Sequence, residues 1–104
     1  MASGILGEAD LLANASSKLY TVPAGIVTTA TVSFCNRGTS EAKVRLFVPM
    51  VAGATTSYLE YDATVPANGV LERTGIVLGV GRNLTVQSDK ASVTAIAYGF
   101  EEGV

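Results

Sequence analysis

The feature that most constrains the fold is the alternation of side chains between Ile26 and Val48. In the first limb, one face carries Ile26, Thr28, Ala30, Val32 and Phe34, with mostly small or polar side chains between them. After a polar run over residues 36–41, the second limb places Ala42, Val44, Leu46 and Val48 opposite Lys43, Arg45 and Phe47. A period of two indicates β-strands, so the pattern predicts a central hairpin. Two strands alone are marginal in water, and the rest of the chain must cover the apolar face.

Shorter alternating runs and turn residues continue through the rest of the chain. Pro23-Ala24-Gly25 and Pro66-Ala67-Asn68-Gly69 are suited to tight turns, because Pro presets φ and Gly or Asn tolerates positive φ. Seven or eight short strands at this spacing predict an all-β, antiparallel sandwich, either immunoglobulin-like or jelly-roll. A small closed barrel is the alternative.

Three segments carry more specific predictions about the sheets. Residues 91–100 have apolar side chains on both sides, so we expect this final strand in the centre of a sheet and buried on both faces. Gly75 interrupts the alternation of residues 70–78 and predicts a bulge. Residues 49–56 lack alternation and predict a crossover or a long loop.

The N-terminal residues 1–17 fit three placements. They form an extended arm, which we favour, an edge strand that pairs elsewhere, or a helical turn over residues 9–13. Leu6, Leu11 and Leu12 are too apolar to stay in water, since burial of each is worth roughly 1.5 to 3 kcal/mol. We therefore expect an arm over residues 1–17 that docks on this domain or on a neighbour, followed by a β-sandwich domain over residues 18–104.

Length and charge limit the partners. The chain has 104 residues, enough for one domain, with a net charge of −2 and seven scattered Lys and Arg residues. It presents no positive field for a phosphate backbone, so we expect no nucleic-acid partner. The N-terminal stretch lacks the basic start of a secretory signal, and no run approaches the ~18 apolar residues of a membrane span. We expect a protein made in the cytoplasm that has no membrane partner.

The sequence offers little for catalysis or metal binding. It has no His, which removes the usual general base and the commonest metal ligand. Glu60 and Asp62 lie two apart on one predicted strand face beside Tyr58, but a solvated outer face explains them better than a catalytic carboxylate pair. The single Cys35 excludes an intrachain disulfide and is predicted to be a packed thiol. We expect no catalytic residue, no cofactor and no metal site, and hence no enzyme.

Several large apolar side chains fall outside any single predicted core. Phe47 lies on the charged face of its strand, and Tyr58 lies on the opposite face to Leu59. Such a surplus usually marks a protein interface. The candidate interface residues are Ile5, Leu6, Leu11, Leu12, Phe47 and Tyr58. A weaker alternative is sugar binding through exposed Tyr58, Tyr61 or Tyr98.

Four segments carry a resemblance to a known family. They are LYTVPAG (Leu19 to Gly25), VSFCNRGTSEAKVRLFV (Val32 to Val48), YLEYDATVPANGVL (Tyr58 to Leu71) and GRNLTVQSDKASVTAIAYGFE (Gly81 to Glu101). The chain, from about Gly4 to Glu102, resembles the small virion structural proteins of tailed bacteriophages. In that family a corner like Leu19 to Gly25 precedes a turn like Cys35 to Arg37, and an aromatic-aspartate strand like Tyr61-Asp62 ends in a turn like Val65 to Asn68.

The resemblance implies a β-sandwich module on a virus particle and no catalytic residues. The role it first implies is capsid decoration or cement, in which the protein binds the major capsid protein or other virion proteins. The alternative is a tail, baseplate or head-fibre module that contacts a host surface glycan. A homo-oligomer is expected, a trimer being one arrangement, because repeated contacts raise avidity without new chemistry. The protein would then be made in the host cytoplasm and reside on the virion.

Overall fold

The computed structural model of the protein describes residues 3–49 and 56–103. Within those residues the chain forms strands and no helix, so the predicted all-β fold is confirmed. The eight strands are β1 (Ser3–Asp10), β2 (Ala15–Thr21), β3 (Ile26–Asn36), β4 (Ala42–Val48), β5 (Ser57–Val65), β6 (Val70–Leu78), β7 (Asn83–Ser88) and β8 (Val93–Gly103).

The strands form two four-stranded antiparallel sheets that pack face to face. Sheet A has the order β1-β8-β3-β6, and sheet B has the order β2-β7-β4-β5. Consecutive strands alternate between the sheets, except that β4 and β5 pair directly with each other. This strand order is that of the jelly roll, one of the two sandwiches that the sequence predicts.

The core lies between the sheets and follows the predicted alternation. Phe34 of sheet A and Leu46 of sheet B both have no exposed surface. The inward faces predicted for residues 26–34 and 42–48 are confirmed. The other buried side chains on these two faces are Thr28, Ala30, Val32, Ala42, Val44 and Val48, and β6 to β8 add Ile76, Leu78, Leu84, Val86, Val93, Ala95 and Ala97.

The predicted hairpin over residues 26–48 is wrong, because its two strands lie in different sheets. β3 pairs with β6 and β8, whereas β4 pairs with β5 and β7. Alternation shows which side chains face the core, but a hairpin and a corner between two packed sheets produce the same pattern. The turn at residues 66–69 is a second such corner, leading from β5 in sheet B to β6 in sheet A.

Asn36 holds the corner between β3 and β4. Its buried side-chain NH₂ donates to the carbonyls of Ser40, at 2.9 Å, and Val65, at 3.2 Å. Its Oδ1 accepts from the Gly38 N–H at 3.0 Å and from the Ser92 hydroxyl at 2.9 Å. These four bonds use the whole hydrogen-bonding capacity of the amide. One side chain therefore joins loops from both sheets at this end of the sandwich.

The extended N-terminal arm is not confirmed, because the described part of residues 1–17 lies in the sandwich. β1 is an edge strand that pairs with β8 from Ser3 to Asp10. At its centre the backbone of β1 approaches β2 so closely that a Cβ on Gly7 would lie 1.9 Å from the Leu19 carbonyl oxygen. The edge-strand alternative is the placement that the structure shows, and it buries Leu11 just beyond the strand.

The final strand is central, as predicted, but it is not buried on both faces. β8 lies between β1 and β3, and Val93, Ala95 and Ala97 have no exposed surface. Tyr98 and Phe100, on the opposite side of the strand, are 36% and 46% exposed. No part of the described chain forms a third layer over this side, so its apolar side chains meet solvent.

The same uncovered face overturns the prediction for the thiol. Cys35 is exposed, because it points outward from β3 where a third layer would be needed to pack it.

The predicted bulge at Gly75 is confirmed by its φ of 71° and by a register shift in the β3–β6 ladder. The predicted loop over residues 49–56 falls mostly outside the described residues.

A hydrogen-bonded group links the two sheets at the other end of the sandwich. Tyr20 of β2 donates its hydroxyl proton to the carboxylate of Glu101 on β8. The Thr28 hydroxyl on β3 lies 2.7 Å from the same Tyr20 oxygen, and it donates because the tyrosine proton is already engaged. Burial first, and then the bond to Glu101, raise the pKa of Tyr20.

Candidate interaction surface

The outer face of sheet B is built by side chains that alternate with the core residues. Lys18, Thr85, Phe47 and Tyr58 lie in successive register across β2, β7, β4 and β5. Neighbouring positions on this face carry Lys43 and Arg45 of β4. We call Phe47, Tyr58 and Tyr61, with the adjacent Arg45 and Asp62, the aromatic cluster.

The rings of the aromatic cluster pack on one another. The Phe47 and Tyr58 ring centroids are 5.1 Å apart with the planes tilted by 39°. Tyr58 and Tyr61 meet edge to face, with centroids 5.0 Å apart and planes at 85°. The Arg45 guanidinium lies 4.2 Å from the centroid of Tyr61 and covers one side of that ring. The rings form a ridge of side chains and not a flat platform.

Arg45 also fixes the acidic member of the cluster. Its Nε and Nη2 donate to the two carboxylate oxygens of Asp62, at 2.7 and 3.3 Å. This fork-like contact holds the pKa of the Asp62 carboxyl below its ordinary value, mainly through the hydrogen bond. Asp62 has a positive φ of 51°, so the backbone here departs from a regular strand.

The predicted sharing of one strand face by Glu60 and Asp62 is wrong. A register shift between Val44 and Leu46 places two residues of β5 opposite one of β4. Glu60 lies opposite the inward-facing Leu46 and accepts from Arg73 of β6 at 2.9 Å, whereas Asp62 lies with Arg45. Each carboxylate has its own arginine partner, and the bulge separates the two groups that alternation alone would align.

The outer face of sheet A carries a second group of exposed apolar side chains. Ile5, Tyr98 and Thr31 lie in register across β1, β8 and β3. Phe100, Thr29 and Val77 form the next row, across β8, β3 and β6. Ile5 and Val77 are more than half exposed. The Tyr98 hydroxyl donates to Glu72 at 2.9 Å, and this bond raises the pKa of Tyr98.

The two outer faces carry opposite charges. Among the described strand residues, the outer face of sheet A has no Lys or Arg, and its four carboxylates are Glu8, Asp10, Glu72 and Glu102. Arg73, the cation of sheet A, turns to Glu60 on the other sheet. The outer face of sheet B carries Lys18, Lys43 and Arg45 and, within the aromatic cluster, the carboxylate of Asp62.

The six predicted interface residues fall into three groups. Leu11 is 1% exposed and belongs to the core, and Leu6 is partly buried and packs against the core. Ile5 and Leu12 are exposed, Ile5 on the outer face of sheet A and Leu12 in the turn before β2. Phe47 and Tyr58 are in contact within the aromatic cluster. The structure therefore brings together only the last pair.

Sequence reasoning missed Phe100 and Val77 as surface residues and considered Tyr98 as one only for sugar binding. The strand of Tyr98 and Phe100 has apolar side chains on both sides, which resembles a fully buried strand. A signal was present in the neighbouring strand, because the outward positions of β3 include Thr29, Thr31 and Ser33. Small hydroxyl side chains beside the aromatic residues are typical of a face that meets water.

The solved structures that are similar to this chain include two of a phage capsid protein. No family model and no curated protein matches this chain. The two structures are both crystal structures of a pentameric capsid protein isolated from metagenomic phage sequences, one of them solved by iodide SAD phasing. Each is 20% identical with a TM-score of 0.47 over 92% of this chain. The chain spans 62% of the first protein and 64% of the second, less than two thirds of their length.

Two further properties concern other kinds of site. The described residues contain no helix long and apolar enough to cross a bilayer. Residues 3–49 and 56–103 also bring no three His, Cys, Asp or Glu side chains together in a group suited to a metal ion. The described chain does offer exposed apolar side chains for recognition, on its two outer faces and in the turns.

Proposed function

We propose that the protein is a non-enzymatic structural protein of a bacteriophage virion. It binds the outer surface of the major capsid protein lattice as a decoration or cement protein. It acts as a homo-oligomer, a trimer being one arrangement, and it resides on the virion after synthesis in the host cytoplasm. No cofactor, nucleic acid or membrane takes part.

The observation that carries the proposal is the number of large apolar side chains held outside a complete core. Leu12, Ile5 and Tyr58 are 69%, 61% and 49% exposed, although the core already has its two layers. Removing such side chains from water is worth about 25 cal/mol per Å² of apolar surface, so they favour contact with another protein. The four segments between Leu19 and Glu101 resemble virion proteins, and this resemblance supports a capsid protein as the partner.

The fold itself is compatible with more than one function. Jelly rolls serve in viral capsids and also in lectins, so the strand order does not decide between a shell contact and a sugar contact. The aromatic cluster favours the shell contact, because stacking on a sugar needs an open ring face. Tyr58 and Tyr61 meet at 85°, and Arg45 occupies one side of Tyr61.

The proposal is tested by co-sedimentation of the purified protein with assembled phage shells that lack it. The variants are Leu12→Ser and Tyr58→Ser, both at exposed positions. Point variants are used because a deletion of the N-terminal residues 2–14 would remove the edge strand β1. We expect the intact protein to sediment with the shells and each variant to bind about tenfold more weakly, as when an interface loses one well-buried apolar side chain.

Val80→Ser is the matched control. Val80 is 52% exposed in the turn between β6 and β7, at the opposite end of the sandwich from Leu12. We expect this variant to bind the shells as the intact protein does. A protein that stays in the supernatant with every shell, or that loses binding equally in all three variants, would contradict the proposal. Binding to a glycan array that Tyr58→Ser and Tyr61→Ser abolish would favour the tail or fibre alternative.

A further inference from the structure

We propose that copies of this chain associate head to tail, with the outer face of sheet A of one copy against the outer face of sheet B of the next. This inference deepens the proposed function by naming the surfaces of the oligomer, and it rests on that function for its purpose. The partner at both faces is a second copy of this chain.

Charge decides which faces can meet. The outer face of sheet A presents Glu8, Asp10, Glu72 and Glu102, and among the described strand residues no cation lies with them. Two such faces repel each other. The outer face of sheet B presents Lys18, Lys43 and Arg45. Arg45 is paired with Asp62 on that face, and Lys43 lies 3.9 Å from Glu41 in the loop before β4. A contact between unlike faces pairs the carboxylates of one copy with the ammonium groups of the next.

Two of the carboxylates are already engaged within the chain. Asp10 accepts from the Thr94 hydroxyl at 2.8 Å and lies 3.7 Å from Arg37 in the loop after β3. Glu72 accepts from Tyr98. Glu8 and Glu102 are both exposed and flank the apolar rows from opposite ends of β8, so they are the groups best placed to meet cations of a neighbour.

The apolar side chains of the two faces supply the attraction that charge alone does not. Ile5, Val77, Tyr98 and Phe100 lie on one face, and the rings of Phe47, Tyr58 and Tyr61 lie on the other. Aromatic side chains surrounded by charged groups are the usual composition of a protein interface. At about 4.8 Å per strand and about 3.3 Å per residue, a four-stranded face covers roughly 600 Å² in projection. That area approaches the ~800 Å² per partner of stable complexes.

A contact between unlike faces leaves one face of each kind free at the ends of a dimer. Further copies add in the same way until the assembly closes into a ring, or they continue as a filament. A symmetric two-fold dimer through either outer face would place like charges together, so the charge pattern disfavours that contact. The inference therefore predicts an association that salt weakens and that no single two-fold interface explains.

The test measures self-association of the full chain in the absence of shells by sedimentation velocity. One variant reverses the outer face of sheet A (Glu8→Lys with Glu102→Lys), and another reverses the outer face of sheet B (Lys18→Glu with Lys43→Glu). We expect the intact protein to associate, more weakly as NaCl is raised, and each variant alone to associate at least roughly tenfold more weakly. An equimolar mixture of the two variants regains association, because each then offers the charge that the other needs.

Lys90→Glu with Ala24→Glu and Val80→Glu is the control for net charge. It changes the net charge as much as the sheet B variant does, but the three residues lie in loops outside the two faces. We expect it to associate as the intact protein does. A monomer at all concentrations and salts, a mixture that stays monomeric, or a sheet A variant that associates more strongly would each overturn the inference. These outcomes are independent of shell binding, so a monomer that still sediments with shells would refute the interface and the homo-oligomer but leave the proposed shell binding standing.

Discussion

At the scale of single residues, a polar side chain holds one corner of the fold. Asn36 is fully buried, and its amide is bonded to four groups, in the loop after β3, at the end of β5 and in the loop before β8. A buried polar group costs free energy unless each of its donors and acceptors has a partner. The corner that carries the chain from one sheet to the other therefore depends on this one side chain.

Asn36→Asp tests that dependence with almost no change in shape. The carboxylate cannot donate to the carbonyls of Ser40 and Val65, so two acceptors lose their partner in a buried site. We expect the free energy of unfolding, measured with urea, to fall by about 3 kcal/mol, since each lost buried bond costs roughly 1 to 3 kcal/mol. Cys35→Ser, at the exposed neighbouring position, is the control and should change it by less than about 0.5 kcal/mol. Equal stability of the two variants would show that Asn36 does not hold the corner.

The second residue-scale prediction concerns the ionisation of Asp62. Its pKa is lowered mainly by the hydrogen bond from Arg45, with a smaller effect of Lys43. A lowered pKa means that the pair stabilises the fold above the ordinary pKa of 3.8 and loses this effect as the pH falls through the lower folded value. In an NMR titration we expect Arg45→Gln to raise the midpoint of Asp62, and Lys43→Gln to raise it less. No change in Arg45→Gln would contradict the contact.

At the scale of strands, the position of β1 distinguishes an edge strand from a free arm. Gly7 has no room for a side chain, because a Cβ there would lie 1.9 Å from the Leu19 carbonyl oxygen. Gly7→Ala should therefore force β1 away from β2 and lower the free energy of unfolding by more than about 2 kcal/mol.

Gly79→Ala provides the matched control for β1. A Cβ at Gly79 meets no atom within 4 Å, so this variant should stay within about 0.5 kcal/mol of the intact protein. If residues 3–10 form a detached arm in solution, the two variants will unfold at the same urea concentration. Amide hydrogen exchange then supplies a second readout, because the β8 amides that bond to β1 lose protection only if β1 separates from them.

Strand-scale information explains why the sequence predicts only part of the fold. Alternation reports on the two sides of each strand, and it identifies the buried positions of β3 and β4 because the core needs them apolar. Pairing depends on where a turn directs the chain, and residues 36–41 read equally well as a hairpin loop or as a corner. The aromatic cluster is harder to predict than the strand pairing, because the bulge that brings Asp62 to Arg45 has no distinct pattern in residues 58–65, YLEYDATV. Tyr98 and Phe100 were misplaced because apolar side chains suit a buried face and an interface alike.

At the scale of the whole molecule, the link between Tyr20, Thr28 and Glu101 joins the two sheets at one end of the sandwich. Burial and the bond to Glu101 raise the pKa of Tyr20 above its ordinary value of 10.0. A raised pKa means that the stabilising effect is complete below pH 10 and is lost as the pH rises through the folded value.

Thermal unfolding between pH 8 and pH 11 tests this link. We expect the Tm of the intact protein to fall more steeply above pH 10 than the Tm of Tyr20→Phe, which cannot ionise there. Tyr61→Phe removes the hydroxyl of an exposed tyrosine and keeps its ring, and it serves as the control for general alkaline effects. Parallel curves for Tyr20→Phe and the intact protein would show that the link does not stabilise the sandwich.

The central position of β8 has a consequence for synthesis. β8 lies between β1 and β3, so the earliest strand of sheet A has no hydrogen-bonded neighbour until residues 93–103 have left the ribosome. Until then β1 and one edge of β3 expose unpaired backbone and apolar side chains, a state that favours aggregation. Slow translation before residue 93 prolongs this state and should therefore lower the yield of native protein.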